Sequence, residues 1–253
     1  MLSWYNNTLD DTVATSVSQS KLDVDWTNRN RFDPNKTQYS TLYIANTLVR
    51  HANFPAIVES GYTKNIKFGT AYSQTTEVDT AIAYNSGKPI SRKLWYCVSE
   101  LEPWNTGDYT GMTNKIKYAH PKLKAAGMKH LIYLGWPVQT YYPTVVQYCD
   151  EINLHCYRTD SNMTPSGIWG YVRERLGFIA EAAKAQNKII PVNIIYSCEP
   201  AFAYNWFTKN EWIAAHQMFL AQYATNATAT MKNHLVVYDF SIFVSKYAKQ
   251  IKP

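Results

Sequence analysis

Charged residues make up only 17% of this 253-residue chain. No cluster of four or more Lys/Arg occurs, so the formal net charge of +6 is diffuse. Lys115, Lys117, Lys122, Lys124 and Lys129 spread along one expected helix and its exit, which reads as a solvated face. No nucleic-acid motif accompanies them, and no nucleic-acid partner is expected. An acidic polysaccharide suits the charge weakly. No apolar run nears the roughly 20 residues of a membrane-spanning helix, so no membrane partner is expected either. The four cysteines (Cys97, Cys149, Cys156, Cys198) show no Cys-x-x-Cys spacing and read as small buried thiols. No His/Asp/Glu set has metal spacing, and no cofactor motif is present. There is no internal repeat, linker or low-complexity stretch, which leaves a single domain over residues 1–253. No export signal is visible at the start, where a strand-like run opens almost at once. The Asn-, Thr- and Tyr-rich composition nevertheless suggests a secreted or cell-surface protein trimmed of its signal.

Aromatic residues, by contrast, are abundant. They form 15% of the chain, with 20 tyrosines and eight tryptophans. A tyrosine-rich core and surface accounts for many of them. Sugar-binding sites also use aromatic faces as platforms.

From residue 61 onward, strand-like runs alternate with helical ones. The expected strands are Ile66–Tyr72, Leu94–Glu102, His130–Trp136, Glu151–Tyr157, Lys188–Glu199 and Leu235–Phe240. Several are apolar throughout, as strands covered on both faces are. Between them, Ile168, Val172, Leu176, Ile179 and Ala183 recur at helical spacing within the helix expected over Pro165–Gln186. Gly127 is expected to close the helix over Tyr109–Ala126. The alternation predicts an α/β fold. Two further strands, Leu2–Tyr5 and Leu22–Trp26, bring the count to eight. The expectation is a (β/α)8 TIM barrel with an irregular first or second unit, whose usual size is about 250 residues. An open or incomplete barrel is the alternative. Ser40–Val58 reads as a helix interrupted by Pro55.

Active sites of such barrels lie at the C-terminal strand ends. In this sequence those ends carry Asp25 and Trp26, Tyr72, Glu100 and Glu102, Trp136, His155 and Tyr157, Glu199, and Asp239. Glu102 and Glu199 each end an apolar run and are each followed by proline (Pro103, Pro200). Trp104, Trp136 and Trp206 follow the fourth, fifth and seventh strands. As a group they suit stacking against sugar rings, although each taken singly also suits a plug at the barrel top. Paired carboxylates across an aromatic mouth suggest glycoside hydrolysis, with one carboxyl protonated as the acid and the other ionised.

Glutamates closing the fourth and seventh strands follow the pattern of clan A glycoside hydrolases. Glu102-Pro103-Trp104-Asn105 resembles that clan's Asn-Glu-Pro strand end, and His155-x-Tyr157 resembles its His-x-Tyr. The likeness runs from about residue 66 to 240 and rests on three short motifs in order. It implies Glu102 as acid/base, Glu199 as nucleophile in a retaining reaction, and Tyr157 steadying the nucleophile. Leu101 departs from the pattern, since leucine cannot hydrogen-bond a sugar hydroxyl as the clan's asparagine does.

A second resemblance is to family-18 chitinases. Asp150-Glu151-Ile152-Asn153-Leu154-His155-Cys156-Tyr157 is similar to their sixth strand, and Glu100-x-Glu102 keeps the spacing of their Asp-x-Glu. Residues two apart on a strand share a face, so Glu100 is expected to raise the pKa of Glu102. This reading implies a substrate-assisted reaction without Glu199. Glu100 and Arg158 stand where that family has Asp. A non-catalytic carbohydrate-binding barrel is the third reading, with Leu101 as its main support.

Overall fold

Parallel strands gain stability when helices cover one face and neighbouring side chains fill the other, and this chain alternates its elements accordingly. The computed structural model describes residues 3–6, 40–44, 49, 54–63, 66–156, 164–197 and 209–244. Eight strands run β1 (Ser3–Asn6), β2 (Ser40–Ile44), β3 (Ile66–Tyr72), β4 (Tyr96–Ser99), β5 (Lys129–Leu134), β6 (Glu151–His155), β7 (Ile190–Ser197) and β8 (Leu235–Val244). They close into one barrel in sequence order, with β8 pairing parallel to β1. The eight-stranded barrel expected from the sequence is therefore present.

The α-helices among the described residues are α1 (Phe54–Thr63), α2 (Thr75–Asn85), α3 (Pro103–Thr106), α4 (Tyr109–Ala125), α5 (Tyr142–Gln147), α6 (Ile168–Ala185), α7 (Lys209–Asn226) and α8 (Ala229–His234). The stripe read from the sequence on α6 is its buried face, with Ile168, Val172, Leu176, Ile179 and Ala183 each at 0% exposure. Gly127 closes α4 with φ +70°, and Met128 N–H donates to the Leu123 carbonyl at 2.9 Å. No described helix is long and apolar enough to cross a membrane.

The second strand differs from expectation. Ser40-Thr41-Leu42-Tyr43-Ile44, expected in a helix, pairs with β1 and β3. Its β-branched and aromatic residues suit a pleated surface better than a helix. Pro55 does not interrupt a helix but lies in the first turn of α1. An N–H is not needed there, so proline is tolerated. Leu22–Trp26 lies outside the described residues, in the connection from β1 to β2. The barrel closes through Ser40–Ile44 as its second strand, and Asp25 and Trp26 lie outside the described residues.

Side-chain alternation then decides which residues reach the interior. The Phe68 ring in β3 meets Phe54 of α1 edge-on at 6.4 Å, and His130 in β5 lies 5.7 Å from His120 of α4. Those positions face the helices. Cys97 is the strand neighbour of His130, so Cys97, Ser99 and Leu101 also face outward, while Val98 and Glu100 face inward. Inside, Asn193 of β7 donates to Glu151 and, at 3.0 Å, to Asn153 Oδ1 of β6. Tyr238 Oη of β8 reaches Glu151 Oε2 at 3.4 Å. Cys97 and Cys149 are buried free thiols, Cys156 is buried, and Cys198 lies outside the described residues.

Gly61 of α1 is held by this packing. A Cβ there would lie 2.1 Å from Phe68 Cε2, whose ring is buried. A Gly61→Ala variant gains helix propensity but forces that ring aside. A net loss of about 1–3 kcal/mol is expected in urea unfolding.

Candidate active site

The fourth strand delivers two carboxylates to one lip by different means. Glu100 N–H donates to the Tyr72 carbonyl at 2.8 Å, which extends the β3–β4 ladder one residue past β4. The side chain therefore keeps the strand's inward direction, above the row that contains Val98. Glu102 has left the strand (φ −119°, ψ 68°) and caps the start of α3, with Pro103 opening the helix. Its exposed carboxylate accepts from Asn105 Nδ2 at 2.9 Å. Leu101 between them is buried at 7% exposure among the core side chains.

Glu100 is exposed at the surface of the mouth, yet the walls around it replace much of the bulk water. Its carboxyl is raised from the ordinary 4.5 to about 7, first by burial and second by the charge of Glu102. The charge of Glu102 thus acts to keep the proton on Glu100.

Trp104 reaches from α3 across the lip. Its indole lies against Gly135 at the end of β5, where a Cβ would come within 2.5 Å of Cε2. Inward-facing Tyr133 follows Ile132, the strand partner of Ser99, and so stands beside Glu100. The Tyr133 ring lies 5.7 Å from the His155 ring at the end of β6. Burial, then the charge of Arg175, pushes the His155 imidazole down to about 3, so it is neutral at working pH. Arg175 on α6 donates through Nη1 to the carbonyls of Gly135 (2.9 Å) and His155 (2.8 Å), tying the ends of β5 and β6 together. Trp136 lies at the outer rim over Arg175.

Glu100, Glu102, Trp104 and His155 are thus gathered around the β4–β6 side of the mouth. Tyr72, expected at the mouth, is turned away. It occupies the outward set of β3 and bonds His130 Nε2 through its hydroxyl at 2.7 Å, beneath the helices. Glu199, Tyr157, Trp206, Asp25 and Trp26 lie outside the described residues. Among the described residues no His/Cys/Asp/Glu group is arranged to hold a metal ion. Tyr133, Gly135 and Arg175 were missed. An arginine within the apolar stripe of α6, three residues after Val172, was the readable signal for the last.

No protein-family model matches the sequence, and no curated protein matches it. Solved structures do share its fold. A family 18 chitinase from Crocus vernus superposes with a TM-score of 0.58 at 11% identity, over 96% of this chain and 92% of the chitinase. An active-site mutant of Rhizomucor miehei β-1,3-glucanosyltransferase, in complex with laminaritriose, gives 0.56 at 12% identity, over 96% of this chain and 86% of that one. The catalytic domain of a family GH18 chitinase from the fern Peteris ryukyuensis gives 0.56 at 13%, over 96% and 91%. At such identities the likeness is one of fold, and the fold is the one both sequence resemblances imply.

Glu100 should cost the protein stability. Folding raises its pKa, so the ionised form is disfavoured in the native state. Below about pH 4 both states are protonated and the cost vanishes; it grows as pH rises from 4.5 towards 7. A Glu100→Gln variant is expected to melt above the wild type at pH 8 and level with it at pH 4, as read by calorimetry.

Proposed function

We propose that this protein hydrolyses glycosidic bonds of an oligo- or polysaccharide at the C-terminal mouth of the barrel. The observation that carries the reading is the inward Glu100 carboxyl, raised to about 7 beside Tyr133 on the Trp104 side of the mouth. A carboxyl that keeps its proton near neutrality can donate it to a departing sugar oxygen. Glu100 is therefore assigned the acid role that sequence resemblance gives to Glu102. Burial first, and the charge of Glu102 second, hold the proton on Glu100. Glu199 is assigned the second carboxylate, attacking the anomeric carbon in a retaining reaction. Glu100, then ionised, takes the proton of the water that releases the sugar.

A second reading is favoured by the coupling of Glu100 and Glu102 on one strand end. Two carboxylates so placed suffice for a substrate-assisted reaction on an acetamido sugar, in which Glu199 takes no part. The binding-only barrel is a third reading, supported by Leu101. Chitin and β-1,3-glucan oligomers are the substrates to try first, because the fold neighbours are chitinases and a β-1,3-glucanosyltransferase.

Glu100→Gln is expected to lower kcat roughly 10²–10⁴-fold, the usual worth of a general acid. The loss should shrink on dinitrophenyl glycosides, whose leaving group needs no proton. Wild-type activity should fall as pH rises through about 7, because the active form is protonated. Glu102→Gln removes the repelling charge, so this alkaline limb should move to lower pH. A limb that stays in place would sink the assigned coupling. Full activity in Glu199→Gln would select the substrate-assisted reading, and no turnover of any glycoside by the wild type would leave binding alone.

A further inference from the structure

Trp136 is 42% exposed at the outer rim of the mouth, and proton transfer by Glu100 makes no use of it. A large exposed indole costs solvation unless something covers it. Its underside is heavily built. Arg175 Cζ lies 3.9 Å from the ring centre, and the Tyr171 ring meets the indole at 5.2 Å with the planes 80° apart. The indole Nε1–H donates to Tyr171 Oη at 3.1 Å, so the ring's single polar group is already engaged within the protein.

Arg175 itself is only 1% exposed. It donates to the carbonyls of Gly135, His155 and, at 3.3 Å, Tyr171, and no carboxylate among the described residues is bonded to it. Burying a guanidinium is expensive, and carbonyl dipoles with two aromatic faces offset part of that cost. The arrangement holds Trp136 firmly to the ends of β5 and β6. The same loop is pinned on its other side, where Val138 N–H donates to Tyr109 Oη of α4 at 3.0 Å. Val138 is 51% exposed beside Trp136. The loop is thus a fixed apolar shelf whose upper surface makes no polar demand. Trp104 lies against Gly135, one residue before Trp136, on the other side of the same strand end.

We infer that this shelf is a distal sugar subsite: Trp136 receives the apolar face of a pyranose ring in a chain that leaves the mouth past Trp104 and crosses the end of β5, and Arg175 is the positioning residue that holds the indole in place. The C–H-rich face of a sugar suits the electron-rich face of an indole. The inference rests on a carbohydrate being the ligand of the mouth. It deepens that reading by making the substrate a chain that extends from the mouth over the end of β5.

Binding is the readout, measured apart from turnover. Chito- and laminari-oligosaccharides of two and six units are titrated calorimetrically into the full chain, with Glu100→Gln and Glu199→Gln present so that ligand persists. Trp136→Ala should weaken the hexamer of the preferred series roughly tenfold, the scale of one lost ring contact. The loss should grow with chain length, and Trp136→Phe should restore part of it. Arg175→Lys should reproduce the length-dependent loss. It should also abolish the hexamer-induced fluorescence change that wild type shows and Trp136→Ala lacks, a signature that general destabilisation would not select.

Equal hexamer affinity in wild type and Trp136→Ala would overturn the subsite, as would absence of hexamer binding in both series. If the protein cleaves glycosides but Trp136→Ala binds hexamer normally, hydrolysis stands and the shelf falls. If no glycoside is cleaved yet hexamer binding depends on Trp136, the shelf stands and hydrolysis falls.

Discussion

Each residue on a barrel strand faces either the helical layer or the interior, and the choice reverses at every step. On β4 this alternation does most of the work of building the site. It sends Cys97, Ser99 and Leu101 under the helices and leaves Val98 and Glu100 inside. A shift of one residue would bury a carboxylate among apolar side chains and place Leu101 in the mouth. The same alternation on β3 explains Tyr72: it shares the outward set with Phe68 and spends its hydroxyl on His130. The interior polar group of Glu151, Asn153 and Asn193 is likewise confined to one set of positions on two neighbouring strands.

Electrostatics at the lip follow from where the strand ends. Glu100 is still tied into the ladder through its backbone, whereas Glu102 lies past the strand and meets Asn105. The walls of the mouth and the neighbouring charge of Glu102 together favour the protonated form of Glu100. The stability lost by holding such a group inside a mouth is of the kind that functional sites tend to retain.

Much of the architecture was legible because its signals are long. Six apolar runs alternating with helices, and the stripe on α6, extend over many residues and tolerate local ambiguity. The second strand was not legible, because Ala45, Leu48, Val49 and Ala52 recur after it at a spacing that also suits a helix. Only pairing with β1 and β3 decides between the two. At the site, the strand-end glutamates and tryptophans could be read as residues at a predictable place. Which carboxylate is desolvated could not, since that depends on whether the ladder continues past Ser99. Tyr133 and Gly135 were hidden for the opposite reason: a tyrosine and a glycine in an apolar run look like packing, and their use depends on what crosses from the neighbouring strand.

The contact between Trp104 and Gly135 has a consequence for how this lip can change over time. The indole occupies the space that any side chain at position 135 would need. Substitution of the glycine alone evicts the tryptophan, while substitution of the tryptophan alone leaves a notch above β5. The two positions can drift only as a pair. A descendant that alters its ligand at this point must pass through a form that has lost the old wall before it gains a new one.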